Sequence, residues 1–211
     1  MGLKVVPSTE ADAKRAVEIE DVAYGTSPMS RALFPGPFPP STDGSHPRAS
    51  KLVDILRADP ANRWVKVVDT DLPEGRDMIA FASWFFWTEP HVHEPETWPP
   101  GTNPEACERF FGGMIAKRNE RFAGKPYSYL KLLHTDPNHQ RRGAGSMLIN
   151  WGLEESSRLG IDSYLESSKA GQSLYAKCGF EVVDTLVVDL SPWGGPADVT
   201  SPLMLRPVGK L

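Results

Sequence analysis

Between Tyr127 and Leu159 the hydrophobic pattern switches from the alternation of a strand to the period of a helix, across a short loop of arginine and glycine. Tyr127 to Thr135 (YSYLKLLHT) reads as the strand, Asp136-Pro137 breaks it, and Gln140-Arg-Arg-Gly-Ala-Gly145 opens a helix over Ala144 to Leu159 that carries Met147, Leu148, Trp151 and Leu153. Glycines at 143 and 145 remove side chains where unpaired helix amides point outward, so a phosphate can approach the backbone at the positive end of the dipole. Arg141 and Arg142 add positive charge suited to planar contact with phosphate. The same residues alone also fit a plain tight turn. Two other phosphate-binding designs fail on spacing: there is no GxxxxGK[ST], and Gly143-Ala-Gly145 runs into Ser-Met-Leu instead of a third glycine.

The rest of the chain supplies further alternating elements. Lys4 to Pro7 reads as a strand, and Ser8 as the cap of a helix from Thr9 to Ala23 that Gly25 stops. The proline-rich stretch Thr26 to Pro47 is expected to be an irregular loop, followed by a short helix from Arg48 to Arg57. Trp64 to Asp69 and Met78 to Trp87 form an antiparallel hairpin whose second strand, apolar on both faces, should be central. Thr88 to Pro100 reads as a loop, and Cys107 to Phe122 as a helix with Phe110, Phe111, Met114 and Ile115 on one side. Downstream come a strand at Asp162 to Glu166, a helix at Gly171 to Cys178, a strand at Phe180 to Val188 and a last strand near Leu203. Strands and helices that alternate after an antiparallel hairpin argue an α/β fold, a mixed sheet flanked by helices on both faces.

Charge and cysteines narrow the function. A net charge of -4 and a sequence pI near 5.8, without a long basic run, argue against nucleic acid as a partner. Cys107 and Cys178 lack the spacing of a zinc site or a disulfide framework and read as free thiols. The start MGLKVVPSTE has no apolar leader, and no apolar stretch approaches the ~20 residues of a membrane span, so the expectation is a cytoplasmic protein without a membrane partner. His91, His93, Glu94 and Glu96 crowd one loop, but two histidines among prolines are weak support for converging ligands, and no metal is expected.

Two ordered motifs carry a family resemblance. Gln140, Gly143 and Gly145 match Gln/Arg-x-x-Gly-x-Gly/Ala between a strand and a helix, and Leu174-Tyr175-Ala-Lys-Cys-Gly179-Phe180 matches a second signature, Leu-Tyr-x-x-x-Gly-Phe. From Tyr127 to Asp184 the chain thereby resembles the GCN5-related N-acetyltransferase (GNAT) superfamily. The resemblance implies a mixed, mostly antiparallel sheet of about seven strands whose fourth and fifth strands splay apart to admit the pantetheine arm of acetyl-CoA. The 211 residues, 40% hydrophobic and 24% charged, fit one domain over residues 1–211, in which the proline-rich loop 26–47 and an insertion at 88–126 are not general features of that family. Leu133, His134 and Thr135 would pair with pantetheine, the amides from Arg141 through Arg142, Gly143, Ala144 and Gly145 to Ser146 would hold the pyrophosphate, and Gln140, Ser168, Leu174 and Lys177 would complete the cofactor set.

Acetyl transfer needs a neutral amine, a polarised thioester and a proton for the thiolate. Tyr175 matches the position of the family's general acid, although a packed tyrosine is the competing reading. Strand alternation places Tyr129, Lys131, Leu133 and Thr135 on one face and Leu130, Leu132 and His134 on the other. The family often draws its base from the first of these faces; here that face offers Tyr129 and Lys131 instead of Glu or His, so a water-relayed base is expected. Glu166 either orders a water or acceptor ammonium or is a solvated strand end. Leu33, Phe34, Phe38, the strand Trp84 to Trp87 and Phe110 would suit an apolar or aromatic amine. The implied activity is direct transfer to a small-molecule amine by a monomer or homodimer, with a protein or peptide N-acetyltransferase and a non-catalytic acyl-CoA sensor as the alternatives.

Overall fold

The computed structural model describes residues 2–25, 27–39 and 46–209. Its elements in chain order are β1 (Leu3–Pro7), α1 (Ala13–Tyr24), α2 (Pro28–Leu33), α3 (Pro47–Ala58), β2 (Asn62–Asp69), β3 (Met78–Trp87), α4 (Pro104–Cys107), α5 (Gly113–Phe122), β4 (Tyr127–Thr135), α6 (Ala144–Leu159), β5 (Asp162–Glu166), α7 (Gln172–Lys177), β6 (Glu181–Val188) and β7 (Val199–Arg206). The strands form one seven-stranded sheet in the order β1-β2-β3-β4-β5-β7-β6, antiparallel throughout except for the β4–β5 pair. The crossover helix α6 explains that single parallel pair, since strands running the same way need a long connection.

Two apolar layers hold helices to the sheet. On one face α6 sets Leu148, Ile149 and Leu153 against Val65, Val67, Ala82, Trp84 and Leu130. On the other, α1 and α3 cover Trp64, Met78 and Phe81, while Phe122 of α5 joins Phe85, Trp87, Tyr127, Tyr129 and Tyr164. Every residue of β3 is buried, as expected of a central strand covered on both sides. The α6 layer is tight at Gly152, where a Cβ would be driven into the Trp84 ring. Gly152→Ala is therefore expected to destabilise the protein by about 1–3 kcal/mol in urea unfolding, although alanine is the better helix former by roughly 1 kcal/mol.

Several local expectations need correction. The proline-rich stretch is not wholly irregular: the Ser27 side chain accepts a hydrogen bond from the Ser30 amide at 3.0 Å and Pro28 occupies the first turn, which starts α2. The helix expected at Cys107 begins at Pro104, capped by Asn103, and passes through a π-helical turn at Glu108–Gly112 before α5. Ser8 does not cap the first helix. Asp12 does the work there, accepting from the Ser8 hydroxyl at 3.0 Å and the Thr9 amide at 2.8 Å, and a 3₁₀ turn at Glu10–Asp12 precedes α1.

The largest correction concerns β4. Ser83 pairs with Leu132 and Trp84 with Leu130, so Lys131 is one residue too many and forms a β-bulge. Simple alternation fails across it. Leu130 packs with the α6 layer and Leu133 against it, whereas Leu132 lies against the α1 and α3 layer and His134 stacks on Phe81. Tyr129 and His134 therefore share a face, and Leu133 is on the opposite one.

Candidate active site

After Tyr127↔Asp162, Ser128↔Ser163 and Tyr129↔Tyr164 the ladder between β4 and β5 ends, and β5 continues against β7 as far as Glu166↔Leu203. Among the described residues, no strand covers the β5-side edge of β4 from Leu130 to Thr135. This is a splay between neighbouring strands.

At the end of that edge the chain turns into α6. Arg141 at φ 63° and Gly143 at φ 92° both take the left-handed conformation, which glycine adopts at little steric cost and arginine does not. Nothing crowds a Cβ at Gly143, so backbone conformation demands that glycine; Gly145 instead gives room to Leu174, 3.1 Å from where its Cβ would lie. The first intrahelical bond returns from the Met147 amide to the Gly143 carbonyl at 3.0 Å, leaving the amides of Ala144, Gly145 and Ser146 without helix partners. Gln140 donates to the Thr135 carbonyl at 3.3 Å and ties the loop to the strand end. Arg142 pairs with Asp69 at 2.7 Å, holding that carboxyl below the usual carboxylate range. It anchors the loop to β2, while Arg141 is exposed beside the helix start. These residues fit a pyrophosphate at the turn and an extended amide-bearing arm along β4.

The remaining cofactor candidates divide. Leu174 lies at Gly145 and Ser168 accepts the Gly171 amide at 3.1 Å in the turn before α7. Lys177 is not brought to the loop: it lines a depression with Asn150, Glu154 and Arg206, farther along α6. Tyr175 is 9% exposed, packs edge-on to Phe180, and burial pushes its phenol upward.

Across the splay, Glu166 is neither a solvated strand end nor an open carboxylate. Its Oε1 lies 2.8 Å from Arg118 Nε, an ion contact without an aligned hydrogen bond, and its Oε2 accepts from the Tyr129 hydroxyl at 2.6 Å. The Arg118 guanidinium sits 4.2 Å over the Tyr129 ring, and burial raises the Tyr129 phenol well above its ordinary value. Lys131 lies 3.8 Å from Glu96, with burial drawing its ammonium downward. His93 is clamped by Asn119, which accepts its amide and donates to its carbonyl, both at 2.9 Å, and its ring meets the Tyr127 hydroxyl. His91 stacks on Trp87 at 4.1 Å. Both imidazoles thus belong to the aromatic packing.

Arg118, Tyr127, Asn119 and Tyr24 were not singled out by sequence. Arg118 alone left a signal: it continues the helical spacing of Phe111, Met114 and Ile115, a charge on the apolar stripe. The strand-end histidine gives a pH prediction. Burial lowers His134 from 6.5 to about 4, partly offset by the Ala16 backbone. Between these values the unfolded chain binds the extra proton, so stability is full above about pH 6.5 and is lost as pH falls toward 4, by roughly 3 kcal/mol from this group. Urea unfolding at stepped pH should show that slope, and His134→Phe should flatten it.

Comparison with known proteins matches this geometry. Residues 72–180, just over half of the chain, match the Acetyltransferase (GNAT) family, and the chain belongs to that family. It is similar to a probable acyltransferase, SID5, of Ajellomyces capsulatus, 48% identical over 42 residues, a stretch that covers 20% of this chain and 31% of that protein. The chain thus spans about a third of that relative. In fold it resembles a histone acetyltransferase HPA2-related protein of Corynebacterium glutamicum (TM-score 0.60, 18% identity, 100% of this chain and 99% of that one). It also resembles Arabidopsis thaliana NAA60 bound to a bisubstrate analogue (TM-score 0.59, 16% identity, 99% of each chain), and the same plant protein bound to acetyl-CoA (TM-score 0.58, 16% identity, 97% and 98%). The chain is a member of the GNAT family with the fold of those solved structures. Among the described residues, no helix is long and apolar enough to cross a membrane.

Proposed function

We propose that the whole chain acts as one N-acetyltransferase domain that moves the acetyl group directly to the amine of a small molecule in a ternary complex. One observation carries the choice of acceptor: described residues of the proline-rich loop and of the insertion are sewn to one another, and in this reading they roof the acceptor face. Gly36 donates to the Gly101 carbonyl at 2.9 Å, Asn103 to the Leu33 carbonyl at 2.9 Å, and Phe34 and Trp98 both pack on Phe111. The same cluster takes in Val188 at the end of β6 and Leu190 and Trp193 beyond it, so α2, α4 and the β6–β7 connection form a continuous roof. A roof of this kind favours an enclosed acceptor over an extended peptide.

Acetyl-CoA supplies an activated acyl carbon and a thiolate leaving group. Leu133 and Thr135 hold the pantetheine arm by backbone, His134 turning its own backbone to Phe81, and the amides at the start of α6 hold the pyrophosphate. Tyr175, which keeps its proton at neutral pH, donates it to the departing thiolate. Tyr129, held by Glu166 and Arg118, and Lys131 at the bulge form the acceptor wall and order the water that takes the amine proton. Release of free thiol from acetyl-CoA, measured across arylamines, polyamines, amino sugars, amino acids and N-terminal peptides, tests the reading. Turnover confined to small apolar or aromatic amines supports it, whereas preferred turnover of peptides overturns it in favour of a protein N-acetyltransferase. Thiol release from no acceptor would point to a sensor.

A further inference from the structure

We propose that Tyr24 is a gate on the cosubstrate cleft, its hydroxyl occupying the carbonyl that the pantetheine arm must claim. Tyr24 is the last residue of α1, and its hydroxyl donates to the Leu133 carbonyl at 3.2 Å, on the stretch of β4 that β5 has left uncovered. A phenol there substitutes for the hydrogen bond that an amide N–H of the arm would make, so the two compete for one acceptor. The residue is built to move. It is 52% exposed, meets His134 only edge-on at 6.3 Å between ring centroids, and is followed at once by Gly25 at φ 56°, which ends the helix. Bound arm and seated phenol exclude each other, and the gate lowers affinity by the strength of its own contact.

The inference rests on assigning the β4 edge to pantetheine, and the test separates the two. Calorimetric Kd values are measured for CoA and for adenosine 3′,5′-bisphosphate, which lacks the arm, on the intact protein and on Tyr24→Phe. A neutral hydrogen bond of ordinary strength predicts that CoA binds the variant about two- to tenfold more tightly, with bisphosphate binding unchanged. If CoA binds more tightly than the bisphosphate but equally well to both proteins, the gate is wrong while the edge assignment stands. If CoA binds no better than the bisphosphate to either protein, the edge assignment itself fails and the gate with it. A change shared by both ligands also overturns it, since the gate touches the arm alone.

Discussion

Tyr175→Phe is expected to lower kcat about 100-fold or more, with the Kd for acetyl-CoA moving by no more than about twofold. The ring is fixed: it belongs to the main core cluster, and a Cβ on Gly171 would come within 2.9 Å of its Cε2 atom. Phenylalanine preserves that packing and deletes only the proton donor. Burial raises the phenol, so the proton is present throughout the neutral range. Steady-state turnover with calorimetric binding checks the pair of expectations. An unchanged kcat would transfer the proton to solvent.

Arg118→Met should cost about 3–5 kcal/mol of stability, because it strands a buried carboxylate. The side chains of Arg118 and Glu166 are only 8% and 5% exposed, and Glu166 would keep the Tyr129 hydroxyl as its one remaining partner among the contacts described. The paired substitution Arg118→Met with Glu166→Gln removes both charges and should recover much of the loss in urea unfolding. A loss below about 1 kcal/mol for the single variant would mean that water reaches the pair. Because Arg118 comes from α5 of the insertion, the same variant also tests whether the insertion supports the acceptor wall.

The limits of β4, α6 and β5 follow directly from the sequence, since each is a run rich in apolar residues bounded by turn residues. Both glycines of the cofactor loop were legible, although the structure gives Gly143 a conformational reason and Gly145 a packing one. Pro28 and Pro104 misled in the same way. Pro28 lay in the stretch read as an irregular loop and Pro104 just before the helix expected from Cys107, while each sits behind a capping Ser or Asn and begins a helix. What lay beyond reach was pairing over distance. Arg142 meets Asp69 across 73 residues and Tyr24 meets Leu133 across 109, and no local pattern encodes either contact. Nor does a bulge announce itself, because it is a property of two strands aligned and not of one.

That bulge makes β4 two short strands laid end to end, out of phase with each other at Lys131. Up to Tyr129 the odd positions look toward the side of the sheet that α1, α3 and α5 cover; beyond Lys131 the even ones do. On the proposed reading, one polypeptide edge serves two compartments, a wall for the amine on its first half and a rail for the donor on its second. Removing residue 131 would merge the two halves in one phase and leave Leu130 and Leu133 on the α6 face and Leu132 and His134 on the Phe81 face, so what the extra residue adds is the Lys131 ammonium beside Glu96, without displacing either neighbour.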